Sequence, residues 1–346
     1  MRYGRHQIDK AGEIAISSTE EDVYKNAIEK INDWRSLHLM VLDKLQTEIN
    51  AILDRNRIKA TFTSRRLKRL TSILYKLDLN PKMRLGGMQD IGGLRIVLPN
   101  IQTLDKLYSL LKVNVPEGFI LDKDPINYIE TPKESGYRSI HFVYKYISDE
   151  NDYNGLRVEL QIRTRLQHFW AMAVETAGLV TKTPLKSSQG ADEWLEFFKY
   201  VSSLFAIKEE RKILSIHSEQ GLNTKDLMIL LYQLDRRYNL CDTLKALRVT
   251  NNVALQEKYT NKYYILNINF KTKRVSVNPY NDEAAAMNDY SRLERVSQDA
   301  KNAVVLVSVS KIKELQEAYP SYFLDTSDFL RIMDRIISNC EKMKLV

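Results

Sequence analysis

The stretch VELQIRTRLQHFW, residues 158–170, carries the pattern that decides the fold. Its first half alternates apolar and polar residues, which predicts a strand with one buried face. The apolar face carries Val158, Leu160 and Ile162, and the polar face carries Glu159, Gln161 and Arg163. From Thr164 to Leu179 the pattern changes to that of a long helix. A strand that leads directly into a helix is typical of proteins that mix the two.

Further strands and helices are predicted on the N-terminal side of this stretch. Strand-like runs lie at 93–98 and 138–146, and a helix at 103–111 lies between them. Helical periodicity also covers 20–57 and 64–77. The alternation predicts an α/β (α+β) fold, with a mixed β-sheet flanked by helices.

The chain is predicted to divide into three parts. Residues 1–185 form a first domain with N-terminal helices, 186–238 a helical connector and 239–346 a small α+β module. Strands and helices of this module are predicted at 263–270, 274–278, 283–300, 304–309, 311–318 and 326–337. Thr326 is a candidate N-cap of the last helix.

Composition limits the function classes. Hydrophobic residues make up 44% of the 346 residues, which is ordinary for a protein with a core. No apolar run is long enough to span a bilayer, so we expect a soluble, cytoplasmic protein without membrane contacts. Cys241 and Cys340 cannot form a four-ligand zinc site. The net charge of +8 permits a polyanionic partner and does not require one.

A basic segment, SRRLKRLTSILYK at 64–76, is a candidate phosphate-binding element. Four residues would share one face of a helix at steps of three and four: Arg65, Lys68, Ser72 and Lys76. Arg66 would lie to one side of that face. Cations so placed can bind a triphosphate, and an Arg guanidinium can stack on a purine. A solvated helix face is the alternative interpretation.

Two carboxylates are the candidate catalytic residues. Asp90 precedes a double glycine in MQDIGGLRIV, residues 88–97, and Arg95 follows five residues later. Magnesium needs one or two protein carboxylates and keeps most of its waters. If the polar face of the 158–164 strand meets Asp90, then Asp90 and Glu159 could share the metal, or Glu159 could accept the proton of an attacking hydroxyl. Alternatively, Asp90 is a turn residue.

The segment TPKESGYRSIH, residues 131–141, is the candidate site for an acceptor. Its cations and aromatic residue flank a glycine: Lys133, Tyr137, Arg138 and His141. Such a loop can stack on a base and bind phosphates. A basic hairpin loop whose tyrosine packs on the sheet is the alternative. His168 lies on the following helix, where a lone histidine is more often structural than functional.

Taken together, these four blocks resemble the synthetase domain of the RelA/SpoT superfamily. The matching patterns are R-x-K-x-x-x-S-I-x-x-K at Arg66–Lys76, D-x-x-G-x-R at Asp90–Arg95, P-K-x-x-G-Y-x-S-x-H at Pro132–His141 and E-x-Q-x-R-T at Glu159–Thr164. The resemblance covers residues 50–177. One departure is Asn127, where the family often has an aspartate. There is no G-x-x-x-x-G-K-[ST] loop, so ATP must bind in a different cradle.

The resemblance implies roles for these residues. ATP would donate pyrophosphate to a 3′-hydroxyl, with its adenine between Arg66 and Arg95. The residues that would hold its phosphates are Lys68, Ser72 and Lys76. Asp90 would bind Mg²⁺, Glu159 would assist the metal or act as base, and Tyr137 would stack on the acceptor base. The other residues predicted to bind the acceptor are Lys133, Arg138, His141, Gln161, Arg163 and His168, with Arg55, Arg57 and Lys59 for an RNA backbone.

The two ends of the chain extend the resemblance. Residues 3–13 and 33–38 resemble the start of toxic small synthetases. The C-terminal module, with Tyr319 and Tyr322 around a proline turn, resembles the antitoxin half of the fused toxin–antitoxin group called CapRel. That resemblance implies the 3′-CCA end of tRNA as acceptor, an inhibitory module without zinc and a phage capsid protein as activator.

Three functions therefore stay open. The sequence favours a tRNA pyrophosphokinase with a built-in inhibitory module. The second is an alarmone synthetase of the same chemistry that acts on GDP or GTP. The third, a non-catalytic RNA-binding protein, is disfavoured because Asp90 and Glu159 are both present.

Overall fold

The computed structural model describes residues 3–181, 191–246, 263–269, 274–296, 302–309 and 326–344. Its helices are α1 Arg5–Ser17, α2 Glu21–Arg55, α3 Leu70–Leu79, α4 Ile101–Val113, α5 Arg165–Thr181, α6 Asp192–Lys208, α7 Ser215–Glu219, α8 Thr224–Tyr238, α9 Leu240–Ala246, α10 Glu283–Val296 and α11 Ser327–Lys342. Its strands are β1 Phe62–Leu67, β2 Gly92–Leu98, β3 Phe119–Leu121, β4 Ile126–Asn127, β5 Ile140–Tyr146, β6 Arg157–Thr164, β7 Tyr263–Asn269, β8 Arg274–Tyr280 and β9 Asn302–Val309.

These strands form one mixed sheet flanked by helices, which confirms the predicted fold class. The order is β3-β5-β6-β2-β1-β9-β7-β8, and β4 pairs with β5. Strands β2 and β6 run parallel, and β1 pairs with β2 in the antiparallel direction. The parallel pair places the strand of Glu159 beside the strand that follows Asp90.

Two apolar clusters hold the helices in place. The first packs α2 and α4 against the apolar face of β2 and β6, where Leu42, Leu94 and Leu160 are fully buried. The second joins α5, α6, α8 and α11 and includes Trp170 and Phe329. Burying one large apolar side chain stabilises the folded state by about 1.5–3 kcal/mol relative to leaving it exposed. Among the described residues, no helix combines the length and hydrophobicity needed to cross a bilayer.

The helix predicted over 64–77 is wrong in its first part. Residues Phe62–Leu67 form β1, and α3 begins at Leu70. Pairing with β2 on one side and β9 on the other overrides the local helical pattern. Strand geometry then turns Arg65 away from Arg66, and Arg65 donates to the Asp43 carboxylate of α2 at 2.7 Å. Arg65 therefore does not share a face with the other cations.

The C-terminal module continues the sheet of the first domain. The hairpin of β7 and β8 and the strand β9 confirm the predicted pattern, and β9 pairs with β1. Thr326 stands at the N-cap position of α11, but its side chain makes no capping hydrogen bond. The helix predicted at 311–318 and residues 319–322 lie outside the described residues. The predicted domain boundaries stay predictions.

Candidate active site

The sheet register gathers polar residues from four strands on one face. One row contains Ser64, Arg95, Gln161 and His141, and the next contains Arg66, Gly93 and Glu159. All of them except His141 border a cleft that is partly open to solvent. Its lining residues are Ser64, Arg66, Lys68, Asp90, Gly93, Leu94, Arg95, Glu159 and Gln161. Asp90 thus lines the same cleft as Glu159 and Gln161 from the polar face of β6.

Asp90 is the anionic centre of a cluster of cations. Lys68 donates to its carboxylate at 2.7 Å, and Lys76 donates to both oxygens at 3.1 and 3.2 Å. Burial alone would raise the pKa of Asp90, but the two ammonium groups outweigh it and hold the pKa below its usual value. Asp90 is therefore ionised at neutral pH. Lys68 lines the cleft with it, and Lys76 is joined to the cleft through Asp90.

Glu159 is held by two donors, one from the neighbouring strand β5 and one from its own strand β6. His141 Nδ1 lies 2.7 Å from one carboxylate oxygen, and Gln161 Nε2 donates to the other at 2.6 Å. Burial would raise the pKa of Glu159, but these donors hold it below the usual value. Arg163 Nη2 in turn donates to the Gln161 amide oxygen at 3.0 Å. The carboxylate is thus ionised and fixed in direction.

His141 connects Glu159 to Tyr137. Its Nε2 lies 2.8 Å from the Tyr137 hydroxyl. Burial would lower the pKa of His141, but Tyr137 and the Glu159 carboxylate outweigh it and raise the pKa above the ordinary value. A protonated His141 donates from both ring nitrogens, which orients the Glu159 carboxylate toward the cleft.

The donor set of the cleft suits magnesium. Two carboxylates, Asp90 and Glu159, line it, and magnesium needs one or two, with waters and phosphates as its other ligands. Within the described ranges no group of three or more His, Cys, Asp or Glu side chains could hold a metal ion. The residues present therefore fit a magnesium ion that arrives with a phosphorylated substrate.

Several residues predicted to bind the acceptor are buried instead of exposed. Tyr137 is only 9% exposed and packs near Trp170 in the second apolar cluster. Arg138 donates to the carbonyl oxygens of Ile129 and Lys212 and to the Ser202 hydroxyl. These contacts correct the prediction of an exposed loop. Arg138 joins this segment to α6 through its hydrogen bond to Ser202.

The other predicted residues have mixed positions. His168 is buried, meets the ring of Phe62 edge-on and does not line the cleft, so its assignment to the acceptor site is corrected. Lys133 lies over the rings of Tyr128 and Tyr137, at 4.8 and 5.4 Å. Ser72 is half-buried on α3 and is not among the lining residues.

The three cations assigned to an RNA backbone lie apart from the cleft. Arg55, Arg57 and Lys59 are exposed at the turn between α2 and β1. Ser64 was missed as a lining residue, because the segment was predicted as helix. Asn127, at the position of the departure, accepts from the backbone amides of Ile129 and Glu130 and so shapes the turn before the 131–141 segment.

Comparisons with known proteins identify the family of the chain. The family described as "Region found in RelA / SpoT proteins" matches residues 65–180. The GTP pyrophosphokinase YwaC of Bacillus subtilis is 31% identical over 172 residues, which are 45% of this chain and 78% of that protein. The GTP pyrophosphokinase rsh of Brucella melitensis is 30% identical over 156 residues, 44% of this chain and 19% of that protein.

Among solved structures, the small alarmone synthetase 2 of Bacillus subtilis aligns with 57% of this chain and 100% of its own, at 24% identity and a TM-score of 0.43. Family membership rests on the sequence relatives. The chain belongs to the RelA/SpoT family. It is accordingly a pyrophosphotransferase.

Proposed function

We propose that the cleft transfers pyrophosphate from ATP to the 3′-hydroxyl of the CCA end of tRNA. The observation that carries the chemistry is that Asp90 and Glu159 line one cleft together with Arg66, Lys68 and Arg95. Adenine stacks between the two guanidinium groups, and the lysines bind the phosphates. Asp90 and Glu159 would hold magnesium, which would supply positive charge to stabilise the transferred group.

The reaction needs a base and a fixed direction of attack. The 3′-oxygen attacks the β-phosphorus of ATP, the bond from that phosphorus to the bridging oxygen of AMP breaks, and AMP leaves. Glu159 accepts the proton of the hydroxyl, because it is ionised and its direction is set by His141 and Gln161. Lys68 and Lys76 place positive charge where the phosphates lie.

Support for tRNA as acceptor comes from the ends of the chain. Both the opening segment and the C-terminal module resemble those of toxic and fused synthetases, and Arg55, Arg57 and Lys59 present exposed cations. A guanine nucleotide is the second candidate, because the relatives are named GTP pyrophosphokinases. Non-catalytic RNA binding is the weakest of the three, since both carboxylates line the cleft.

One labelling experiment separates the acceptors. The protein is incubated with γ-labelled ATP and magnesium, and with deacylated tRNA, GDP or GTP. Label on tRNA supports the proposal, and label on GDP or GTP alone supports the second candidate. A tRNA whose terminal ribose has been oxidised with periodate is the control, because it keeps the RNA surface and lacks the 3′-hydroxyl. Binding of RNA without transfer of label to any acceptor would support the third function.

Regulation is part of the proposal. The C-terminal module, 239–346, holds the enzyme inactive through Tyr319 and Tyr322, whose rings compete with adenine for the Arg66 and Arg95 planes. Supporting this, β9 of the module pairs with β1, and Val309 lies opposite Ser64, a lining residue of the cleft. A phage capsid protein would activate the enzyme by binding the open form better than the closed form.

Expression in growing bacteria tests this regulation. Tyr319→Ala and Tyr322→Ala are each expected to stop growth without phage, and adding Asp90→Asn is expected to restore it. Tyr3→Ala, which alters a tyrosine outside residues 239–346, is the matched control. Harmless tyrosine variants of a protein that labels its acceptor in vitro would contradict the regulation and leave the transfer activity standing.

A further inference from the structure

A buried arginine links the C-terminal module to the backbone of the cleft. Arg35, on α2, is fully buried. Its Nε and Nη2 donate to the carbonyl oxygen of Lys68 at 3.1 and 2.9 Å. Its Nη1 donates to Glu294 of α10 at 3.0 Å, and its Nη2 donates to the Tyr290 hydroxyl at 2.9 Å. One guanidinium therefore contacts both the cleft and the module.

Glu294 also contacts the start of α3, the helix that carries Lys76. Its Oε1 accepts from the backbone amide of Leu70 at 2.8 Å, the first residue of α3. That amide is one of those that a helix leaves without an internal partner, and the helix N-terminus favours a negative charge. The Tyr290 hydroxyl donates to the same Oε1 at 2.9 Å, which fixes the carboxylate. Glu294 thus caps α3 from a distant part of the chain.

These contacts fix the positions of Lys68 and Lys76, the two lysines that contact Asp90. Lys68 lies in the link between β1 and α3, and its backbone amide donates to Ile91 at 2.8 Å. Arg35 holds the carbonyl side of the same residue. Because Lys76 lies on α3, the cap on Leu70 also fixes the helix that carries it. Both lysines contact Asp90. Glu294 of the module therefore helps to fix the cation cluster through its contacts with Arg35 and Leu70.

We propose that Glu294 and Tyr290 are positioning residues for pyrophosphate transfer, and that docking of α10 is required for an active cleft. The inference rests on the phosphate-binding role proposed above for Lys68 and Lys76. It gives the module a second role, opposite in sign to inhibition. A chain without the module would lose the partner of Arg35 and the cap of α3, so it would be less active than a full chain with altered Tyr319 or Tyr322.

The coupling is reciprocal. If docking of α10 favours ATP binding, ATP binding must favour docking of α10 by the same factor. A non-hydrolysable ATP analogue should therefore slow hydrogen exchange of the backbone amides in α10. The amides of α8, which packs in the other apolar cluster, are the internal reference.

The decisive variants are Glu294→Gln and Tyr290→Phe in the full chain. Glu283→Gln is the matched control, because Glu283 lies on the same helix and bonds to Tyr263 instead of the cleft. A backbone shift of about 1 Å can cost about a hundredfold in rate, so we expect kcat at saturating ATP to fall ten- to hundredfold in Glu294→Gln. The KM for the acceptor should stay within about twofold.

The readouts include binding, so the test does not depend on which acceptor is used. Affinity for the ATP analogue is measured beside kcat, at a temperature where circular dichroism shows each variant folded. A folded Glu294→Gln that matches Glu283→Gln in both readouts overturns the proposal. If Glu294→Gln does not fold, Tyr290→Phe, which removes one hydroxyl, decides: unchanged kcat and analogue affinity overturn the proposal, and loss of both supports it.

Discussion

Neutralising Asp90 tests the cation cluster most directly. Asp90→Asn keeps the size of the side chain and removes its charge. In the wild type the carboxylate receives three contacts from Lys68 and Lys76, at 2.7, 3.1 and 3.2 Å. The variant leaves two neighbouring ammonium groups without their counter-ion, and removes a candidate ligand of magnesium.

The expected loss of unfolding free energy follows from the burial of Asp90, and the expected loss of kcat follows from the loss of a metal ligand. Removing one partner of a fully buried ion pair costs about 3–5 kcal/mol. The side chains of Lys68 and Asp90 are 18% and 24% exposed, so solvent screening lowers the expected loss of unfolding free energy to about 2 kcal/mol. Loss of metal stabilisation removes several kcal/mol from the transition state, and about 4 kcal/mol corresponds to roughly a thousandfold lower kcat.

The assay measures transfer and binding separately. We expect Asp90→Asn to lose transfer while keeping its affinity for ATP measured without magnesium, because the two lysines no longer have a carboxylate that competes with phosphate. Asp78→Asn changes an exposed aspartate on α3 and is the control for the loss of one charge. Near-normal turnover in Asp90→Asn with saturating magnesium would refute the assignment of Asp90.

Three further predictions concern the acceptor side. Tyr137→Phe should lower acceptor turnover, because it loses the hydrogen bond to His141, and should leave the packing of the core unchanged. Tyr137→Ala should also lower the melting temperature. An equal loss of ATP affinity would place Tyr137 in the donor site. Because folding raises the pKa of His141, its stabilising effect is complete below the ordinary value of 6.5 and is lost as pH rises through the raised pKa. His141→Gln should therefore destabilise the protein most near about pH 6 in urea unfolding, and a pH-independent difference would contradict this. Neutralising Arg55, Arg57 and Lys59 should weaken tRNA binding and reduce the slope of log K against log salt by about 0.7–0.9 per lost phosphate contact; an unchanged slope would exclude them from the RNA surface.

The alternation and the motifs of the sequence predict two strands of the cleft, β2 and β6, and the two candidate carboxylates. Strict alternation in 158–164 fixes which face of β6 carries Glu159, because side chains of a strand alternate with a period of two. The double glycine after Asp90 marks the start of β2. The order of the four motifs along the chain indicates the family. The residues alone predict one site for Asp90 and Glu159 on the condition that the polar face of β6 meets Asp90.

Contacts between distant parts of the chain determine the strand β1, the burial of Tyr137 and the pairing of Arg35 with Glu294. Residues 62–67 became a strand because two neighbouring strands supply hydrogen bonds that outweigh helical spacing. Tyr137 was buried by packing near Trp170, a residue 33 positions away on a different element. Arg35 and Glu294 are separated by 259 positions, so no local pattern joins them. The packing of α10 against β7, β8 and β9 places that carboxylate where the buried Arg35 guanidinium and the backbone amide of Leu70 both donate to it.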